Sequence, residues 1–265
     1  MKKAFLQGSI LAIIALLVWF SYSQIDYLKL FKVKQKSVQL EQKLGDLIWD
    51  NLQHTEDIVT NDTLVKALDK LIKPICEAND IERDSIKVHI IAKDEVNAFA
   101  LPNKHLVVYT GLITDCKRQE AVQGVLGHEI AHITHNHVMK KLSKEIGFSV
   151  LLSTVSGGNG GQMMKEIFKT LSSSAYDRSL EKEADISSVD YMIEANIDPK
   201  PLADFMYQMA QDKALPDGFE WISTHPESEE RAKYIMDYIK GKKLKSKPTL
   251  SEKEWKEFKD KTENY

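Results

Sequence analysis

The chain has 265 residues, a formal net charge of −3 and 43% hydrophobic residues, which are the proportions of one globular domain with appended segments. The near balance of acidic and basic side chains argues against a nucleic-acid partner, which requires a strongly basic surface. Cys76 and Cys116 are the only cysteines. They either pair in an oxidising compartment or stay as two buried free thiols, and the sequence favours free thiols.

Residues 1–23 have the pattern of a membrane-targeting segment. Two lysines precede a run that is free of polar side chains over 10–20 and extends back to residue 4. Its length of about seventeen residues is the lower limit for a helix that spans a bilayer. The Ser-Tyr-Ser sequence that ends the segment is also typical of a signal-peptide cleavage site. The bulky Trp19 and Phe20 favour an uncleaved anchor. Either alternative predicts that the following domain is exported.

Residues 24–84 are predicted to be a helical linker whose helices wrap the domain. Apolar residues recur at helical spacing over 38–52 and 64–75, and charged residues occupy the opposite faces. Packing against the domain core is the default interpretation of the apolar faces.

A small β-sheet is predicted to follow. Residues 86–91 alternate between apolar and polar side chains, which is typical of a half-buried strand. Two more strands are predicted at 97–101 and 105–109, around the turn pair Pro102-Asn103. An edge strand of such a sheet can hydrogen-bond an extended peptide.

The sequence His-Glu-Ile-Ala-His at 128–132 is the strongest indication of chemistry. Residues four apart share a helix face, so His128 and His132 can direct ring nitrogens at one ion. Two imidazoles suit zinc, and Glu129 lies where it can take a proton from a water that zinc acidifies. Apolar residues at helical spacing over 121–126 lead into the motif and predict a half-buried helix. The alternative is an accidental HExxH on an exposed polar helix turn.

A catalytic zinc usually has three protein ligands. The metzincin pattern places a third histidine six residues after the second, but that position is Val138, and no glycine follows until Gly147. His135 and His137 are therefore predicted to continue the helix, where they face solvent or contact a ligand residue.

A carboxylate in the segment 181–185 is the better third ligand. Glu181 and Asp185 are four apart and share one face of a second predicted helix. Glu181 can bind the metal, while Asp185 accepts a hydrogen bond from a ligand histidine and fixes its tautomer. Taken alone, such a segment is typical of a solvated charged face. Beside His128 and His132, the ligand interpretation is favoured.

A glycine-rich stretch separates the two motif helices. Four of the five residues over 157–161 are glycine, which predicts a break in helical structure. The stretch is either a mobile lid or membrane-touching loop over the site, or a flexible connector.

Five ordered motifs resemble the zinc peptidase family that includes the CAAX prenyl protease and the bacterial HtpX and BepA proteases. They are the NAFALP hairpin with the turn that follows it, HEIAH, Tyr-Asp-Arg, EKEAD, and a late His-Pro segment with an arginine, at 97–112, 128–132, 176–178, 181–185 and 224–231. The resemblance covers residues 85–240. It implies that His128, His132 and Glu181 bind one zinc ion per chain and that Glu129 is the general base.

The resemblance also implies roles for residues outside the metal helices. The strand that carries Asn97, Ala98 and Phe99 would hold the substrate, although core packing is an equal alternative for Phe99. His225 would lie near the metal, either stabilising the oxyanion or occupying the open metal position and keeping the enzyme latent. Arg231 would bind substrate or pair with a carboxylate.

These observations predict a mainly helical α+β fold, in which the HExxH and ExxxD helices pack on a small sheet with a substrate-binding edge strand. The predicted domains are a zinc metallopeptidase domain at 85–240 and a basic tail with a short helix at 241–265. The expected function is a zinc metalloendopeptidase with protein or peptide substrates, especially misfolded or misassembled envelope proteins.

The expected location is the periplasm, with the domain either anchored to the inner membrane or soluble after cleavage. A zinc-containing, latent, chaperone-like binding module is one alternative, and a structural membrane protein with an accidental motif is another. The sequence predicts no oligomeric state.

Overall fold

The computed structural model describes residues 27–157, 160–173, 175–211, 221, 225–226, 228–242, 244 and 246–265. The predicted membrane-targeting segment at 1–23 lies outside these ranges. The chain divides into two compact units, residues 1–40 and residues 41–265. The described part of the first unit begins at Tyr27 and is helical, and the second unit contains the sheet and the motif helices.

Helices make up most of the described chain, which confirms the predicted mainly helical α+β class. In chain order they are α1 (Tyr27–Thr55), α2 (Asp62–Ala78), α3 (Thr110–Asp115), α4 (Gln119–Thr134), α5 (His137–Glu145), α6 (Phe148–Val155), α7 (Gly160–Ser173), α8 (Arg178–Glu194), α9 (Lys200–Gln211), α10 (Ser228–Ile239) and α11 (Glu252–Glu263). A short 3-10 turn, Arg83–Ser85, precedes the sheet. Within the described ranges, no helix combines the length and apolar composition needed to cross a membrane.

The small sheet has the three strands that the sequence predicts: β1 (Lys87–Ile91), β2 (Ala98–Leu101) and β3 (His105–Tyr109). Its order is β1-β3-β2, with β1 parallel and β2 antiparallel to β3. Strand β2 therefore lies at an edge, as expected for the strand that follows Asn97. The turn between β2 and β3 is left-handed at Asn103 and Lys104, with φ of 59° and 58°.

Helix α4 carries the HEIAH motif and is more deeply buried than its pattern predicts. Every residue from Gln119 to His132 is buried. Two glycines allow this, since a Cβ at Gly124 would lie 2.6 Å from Leu202 Cβ of α9. A Cβ at Gly127 would lie 2.8 Å from Ser188 Oγ of α8. The close approach of α8 brings the ExxxD segment against HEIAH.

Helix α4 ends at Thr134 and a new helix begins at His137, so the prediction that His135 and His137 continue one helix is wrong. Asn136 is left-handed, with φ of 57°. Asparagine tolerates this conformation better than most residues. The reversal starts α5 in a new direction and turns the His137 side chain into the interior.

The glycine-rich stretch breaks the helical structure over a shorter range than predicted. Gly157 is left-handed, with φ of 103°, but α7 already begins at Gly160.

Elsewhere in the fold, Cys76 and Cys116 are both buried free thiols, which is the alternative that the sequence favours.

Candidate metal centre

Four buried side chains meet in the second unit. His128 and His132 come from α4, Glu181 from α8, and His225 from the segment before α10. Each contributes one potential ligand atom, and these atoms all lie within 4.8 Å of one another. The structure thus brings together the three predicted ligands and the distal histidine.

The two α4 imidazoles point at the same place. His128 Nε2 lies 2.9 Å from His132 Nε2. The Glu181 carboxylate faces both rings, with Oε2 3.7 Å from His128 Nε2 and Oε1 3.5 Å from His132 Nε2. Burial raises the pKa of Glu181 to about 7, although the charge of Arg231 opposes the rise.

The second nitrogen of His128 contacts Asp185. His128 Nδ1 lies 2.9 Å from Asp185 Oδ1, and both side chains are fully buried. A carboxylate can only accept, so a proton on Nδ1 would face Asp185 at this separation and would leave Nε2 for an ion, although the angle at Nδ1 lies outside hydrogen-bond geometry.

Asp185 is itself held by a buried ion pair. Arg231 donates to both carboxylate oxygens, at 2.8 Å from Nε and 2.7 Å from Nη2, and Tyr234 also donates to the carboxylate. Burial alone would raise the pKa of Asp185, but the charge and hydrogen bonds of Arg231 hold it well below its usual range. The carboxylate therefore stays ionised beneath His128.

Arg231 adopts the ion-pair alternative. Besides contacting Asp185, its Nη1 lies 2.9 Å from Glu181 Oε2 and donates to the His225 carbonyl at 2.9 Å. The side chain is 3% exposed. Its guanidinium thus faces protein acceptors, and the geometry gives the predicted substrate-binding role no support.

The second nitrogen of His132 is held by a different route. His132 Nδ1 lies 3.0 Å from His137 Nδ1, and His137 Nε2 lies 3.2 Å from Glu183 Oε2. If Nε2 of His132 faces an ion, its Nδ1–H donates to His137, which in turn donates to Glu183. His135, by contrast, is partly exposed and contacts Ser187 Oγ at 2.8 Å.

The face of the His132 ring is covered by Tyr176, which in turn contacts Lys141. The Tyr176 ring stacks on the His132 ring, with centroids 4.0 Å apart and planes 20° apart. Lys141 Nζ lies 4.0 Å from the centroid of the Tyr176 ring. Both side chains are buried.

Glu129 lies beside the cluster and is fully buried. Trp221 Nε1 donates to its Oε1 at 3.2 Å, and the Ala100 amide donates to its Oε2 at 3.1 Å. Burial raises the pKa of Glu129 to about 8, and these two hydrogen bonds oppose the rise. A carboxylate with a pKa near neutrality suits proton transfer at physiological pH.

His225 faces this carboxylate. Its Nδ1 donates to the Trp221 carbonyl at 3.0 Å, which turns Nε2 toward the cluster. Nε2 lies 3.4 Å from Glu129 Oε1 and 3.9 Å from Glu181 Oε1. Trp221 also stacks on the His225 ring, with centroids 4.8 Å apart.

The predicted substrate strand lies next to Glu129 but is covered. Asn97, Ala98 and Phe99 are at most 2% exposed. The Phe99 ring packs edge-on against Tyr109 and against Phe168 of α7. Asn97 Oδ1 is buried and accepts no hydrogen bond from the described residues.

The donor set fits a metal ion. Glu181 Oε1 is buried and accepts no hydrogen bond from the described residues. Such an oxygen is costly to bury unless something else compensates it. Two imidazoles and a carboxylate are ligands that zinc takes in hydrolytic sites, and both second nitrogens have the acceptors that a metal-bound histidine needs.

A family model described as Peptidase family M48 matches residues 63–239, which is about two thirds of the chain. The chain belongs to peptidase family M48. This confirms the family that the five sequence motifs indicate. For an M48 peptidase, a metal cofactor and protein or peptide substrates are implied.

Three relatives illustrate the similarity to other M48 proteins. Metalloprotease LoiP of Escherichia coli is 29% identical over 175 residues, which cover 63% of this chain and 68% of LoiP. The mitochondrial metalloendopeptidase OMA1 of Arabidopsis thaliana is 27% identical over 209 residues, covering 77% of this chain and 41% of OMA1. The β-barrel assembly-enhancing protease of Yersinia pestis is 22% identical over 236 residues, covering 83% and 47%. The chain thus spans about half the length of the last two relatives.

Sequence reasoning missed several residues that touch the site. Trp221 lies one turn before His225, and that spacing beside a candidate histidine was a usable signal. Tyr234 lies three residues after Arg231, on the same face of α10. The contact of Lys141 has no sequence signal, because it depends on the direction that α5 takes after Asn136.

Proposed function

We propose that this M48 chain is a zinc-dependent metalloendopeptidase, with one zinc ion held by His128, His132 and Glu181. The convergence of these three buried side chains on one point carries the proposal. Buried clusters of this kind are costly without an ion, since each polar atom loses its water. A bound zinc ion supplies Lewis-acid chemistry and lowers the pKa of a water to about 7.

Glu129 is the general base of the proposed reaction. Its carboxylate accepts a proton from the attacking water and returns it to the leaving amine as the peptide bond breaks. The donors Trp221 and Ala100 fix both oxygens, so the carboxylate is held in place before substrate arrives.

Strand β2 is the proposed binding site for substrate backbone. Asn97 O accepts from the Tyr109 amide on the β3 side, while the Ala100 amide points away from β3 to Glu129. Strand geometry alternates, so the backbone of Ala98 also faces the free edge, and an extended peptide would pair there. Phe168 of α7 packs on the Phe99 side chain of the same strand.

His225 has two candidate roles. Its place among the four potential ligands supports the latent form, in which it occupies the fourth metal position. Displaced by substrate, the same imidazole could instead stabilise the oxyanion. His225→Ala raises peptidase activity if His225 is a latch, and lowers it if His225 stabilises the oxyanion.

Envelope proteins are the proposed substrates. One relative is named a β-barrel assembly-enhancing protease, and the β-barrel proteins of that name support envelope proteins as substrates. The apolar run that the sequence analysis places over 4–20 supports export of the domain, either as a membrane-anchored or as a soluble periplasmic protein.

The direct test of activity is Glu129→Gln. This variant should retain one zinc ion per chain and lose at least a hundredfold of its casein cleavage rate, since general-base catalysis contributes about 10²- to 10⁴-fold. Glu145→Gln, an exposed residue of α5, is the matched control and should cleave like the wild type. Cleavage by Glu129→Gln at the wild-type rate would remove Glu129 from the mechanism.

A latent chaperone-like binding module is the second candidate. It is supported by the position of His225 among the four potential metal ligands. It predicts one zinc ion per chain but no chelator-sensitive proteolysis, even in His225→Ala. Chelator-sensitive cleavage of casein by His225→Ala would exclude it.

A further inference from the structure

Helix α5 presents two buried polar residues, one turn apart, toward the metal centre. His137 and Lys141 are 0% and 4% exposed. Among the residues that the structure describes, Lys141 is the only buried lysine. Neither residue belongs to the metal cluster, and neither carries a role in the reaction proposed above.

We propose that His137 and Lys141 are positioning residues of the metal centre, which hold the His132 ring at its second nitrogen and against its face. The inference rests on the proposed function, since it treats His132 as a zinc ligand. It makes α5 the element that orients His132, as α8 and α10 orient His128 through Asp185 and Arg231.

The contact between His137 Nδ1 and His132 Nδ1 fixes the orientation of the His132 ring. An imidazole Nδ1 3.0 Å from His132 Nδ1, backed by Glu183 at 3.2 Å, accepts from one and donates to the other. Such partners of a metal-bound histidine set its tautomer and orientation, and losing them typically costs about 10- to 100-fold in metal affinity.

The Lys141 contact acts through Tyr176. Stacking 4.0 Å from His132 and 20° from its plane, Tyr176 limits tilting of the ligand ring. Lys141 Nζ, 4.0 Å from the Tyr176 centroid, holds that ring by a cation–π contact, which is strongest where water is excluded.

The charge of Lys141 itself supports a role at the centre. A methionine would fill similar space without the cost of burying an ammonium. Burial lowers the pKa of Lys141 to about 8, and the charges of Glu129 and Glu181 oppose the fall. Lys141 therefore stays largely protonated at neutral pH and faces the same two carboxylates that line the site.

The first experiment compares Lys141→Met, Lys141→Arg and Lys140→Met in the full chain. The readouts are zinc affinity by chelator competition, and the visible spectrum of the cobalt-substituted protein, which reports ligand geometry. Lys141→Met should lose about tenfold in zinc affinity and change the cobalt spectrum. The folded state should remain at least as resistant to urea, because a buried charge is removed. Lys141→Arg should recover most of the affinity, and the exposed control Lys140→Met should match the wild type.

A double-mutant cycle tests whether Lys141 acts through Tyr176. Tyr176→Leu removes the stacked ring, so Lys141→Met should have little further effect on zinc affinity in that background. His137→Phe, which keeps an aromatic ring but cannot accept from His132, should lose about 10- to 100-fold. Fully additive effects of Lys141→Met and Tyr176→Leu would contradict the proposed route.

The outcomes separate this inference from the proposed function. If the wild type binds zinc and cleaves casein while Lys141→Met and His137→Phe keep wild-type affinity and cobalt spectra, the positioning role is wrong and the peptidase stands. If the wild type takes up neither zinc nor cobalt, both proposals fail.

Discussion

At the scale of single residues, the centre is organised by what lies behind each histidine. His128 contacts Asp185 through its Nδ1, and Asp185 accepts hydrogen bonds from Arg231, 46 positions later in the chain. The i to i+4 spacings of HEIAH and of Glu181 with Asp185 could be predicted from sequence, because helix geometry alone brings such residues together. The hydrogen bonds that Arg231 and Tyr234 donate to Asp185 could not be predicted, because they depend on how α10 packs against α8.

Asp185→Asn tests this arrangement. The substitution leaves the buried Arg231 guanidinium without its main counter-charge and weakens the acceptor for His128 Nδ1. We expect a loss of about 3–5 kcal/mol in the free energy of unfolding, and a 10- to 100-fold loss of zinc affinity. Urea denaturation and chelator competition measure the two effects. Asp190→Asn, on the same helix but partly exposed, should change stability by no more than about 0.5 kcal/mol.

At the scale of secondary structure, two close approaches position the site. Helix α4 could be predicted from its apolar spacing, but its complete burial could not, since the close approach that Gly124 allows depends on where α9 packs. The break at Asn136 was missed for a related reason. Asparagine is compatible with helix interior and helix end alike, so the sequence does not mark where α4 stops.

Gly124→Ala probes the contact between α4 and α9. The new methyl group would lie 2.6 Å from Leu202 Cβ, so the helices must separate. We expect a loss of about 1–3 kcal/mol in the free energy of unfolding, as overpacking usually costs. Leu202→Gly removes that Cβ together with the rest of the side chain and alone leaves a cavity, whereas the double variant should be more stable than the sum of the two losses predicts. Strict additivity in thermal or urea denaturation would contradict the described packing.

A second cluster lies on the opposite side of the sheet from α4. Trp49 of α1 stacks on His89 of β1, with centroids 3.5 Å apart, and His89 Nε2 lies 2.9 Å from His105 Nδ1 of β3. Burial, with the neighbouring His105 and Lys87, lowers the pKa of His89 to about 3. Burial and Lys87 lower the pKa of His105 to about 4, although Asp46 opposes the fall.

These depressed pKa values predict that acid destabilises the fold. Below about pH 6.5, His89 and His105 are protonated in the unfolded chain but stay neutral in the folded protein. The free energy of unfolding therefore falls as pH falls from 6.5 toward 4. After allowance for solvent screening, the pair should contribute about 1–2 kcal/mol of loss between pH 7 and pH 5.

Urea denaturation of His89→Gln at the two pH values isolates this contribution, since the histidines of the metal centre are unchanged. The variant should show a smaller loss than the wild type, and the exposed control His54→Gln should show the same loss as the wild type. Equal pH dependence in His89→Gln and the wild type would contradict the assignment.

At the scale of the whole molecule, the family resemblance and the fold agree. The M48 match over 63–239 contains both motif helices, the sheet and α10, so the parts that build the site lie within one matched region. The order of motifs sufficed to predict the family. It could not predict that Phe168 of α7 packs on Phe99 of the edge strand, because that contact depends on packing alone.

Anomalous diffraction at the zinc edge, from crystals of the zinc-loaded chain, can show whether one zinc ion lies between His128, His132 and Glu181. We expect one strong peak per chain, bordered by His128 Nε2, His132 Nε2 and the Glu181 carboxylate, and lost in Glu181→Ala. A zinc-loaded crystal with no peak there, or with its peak at other side chains, would contradict it.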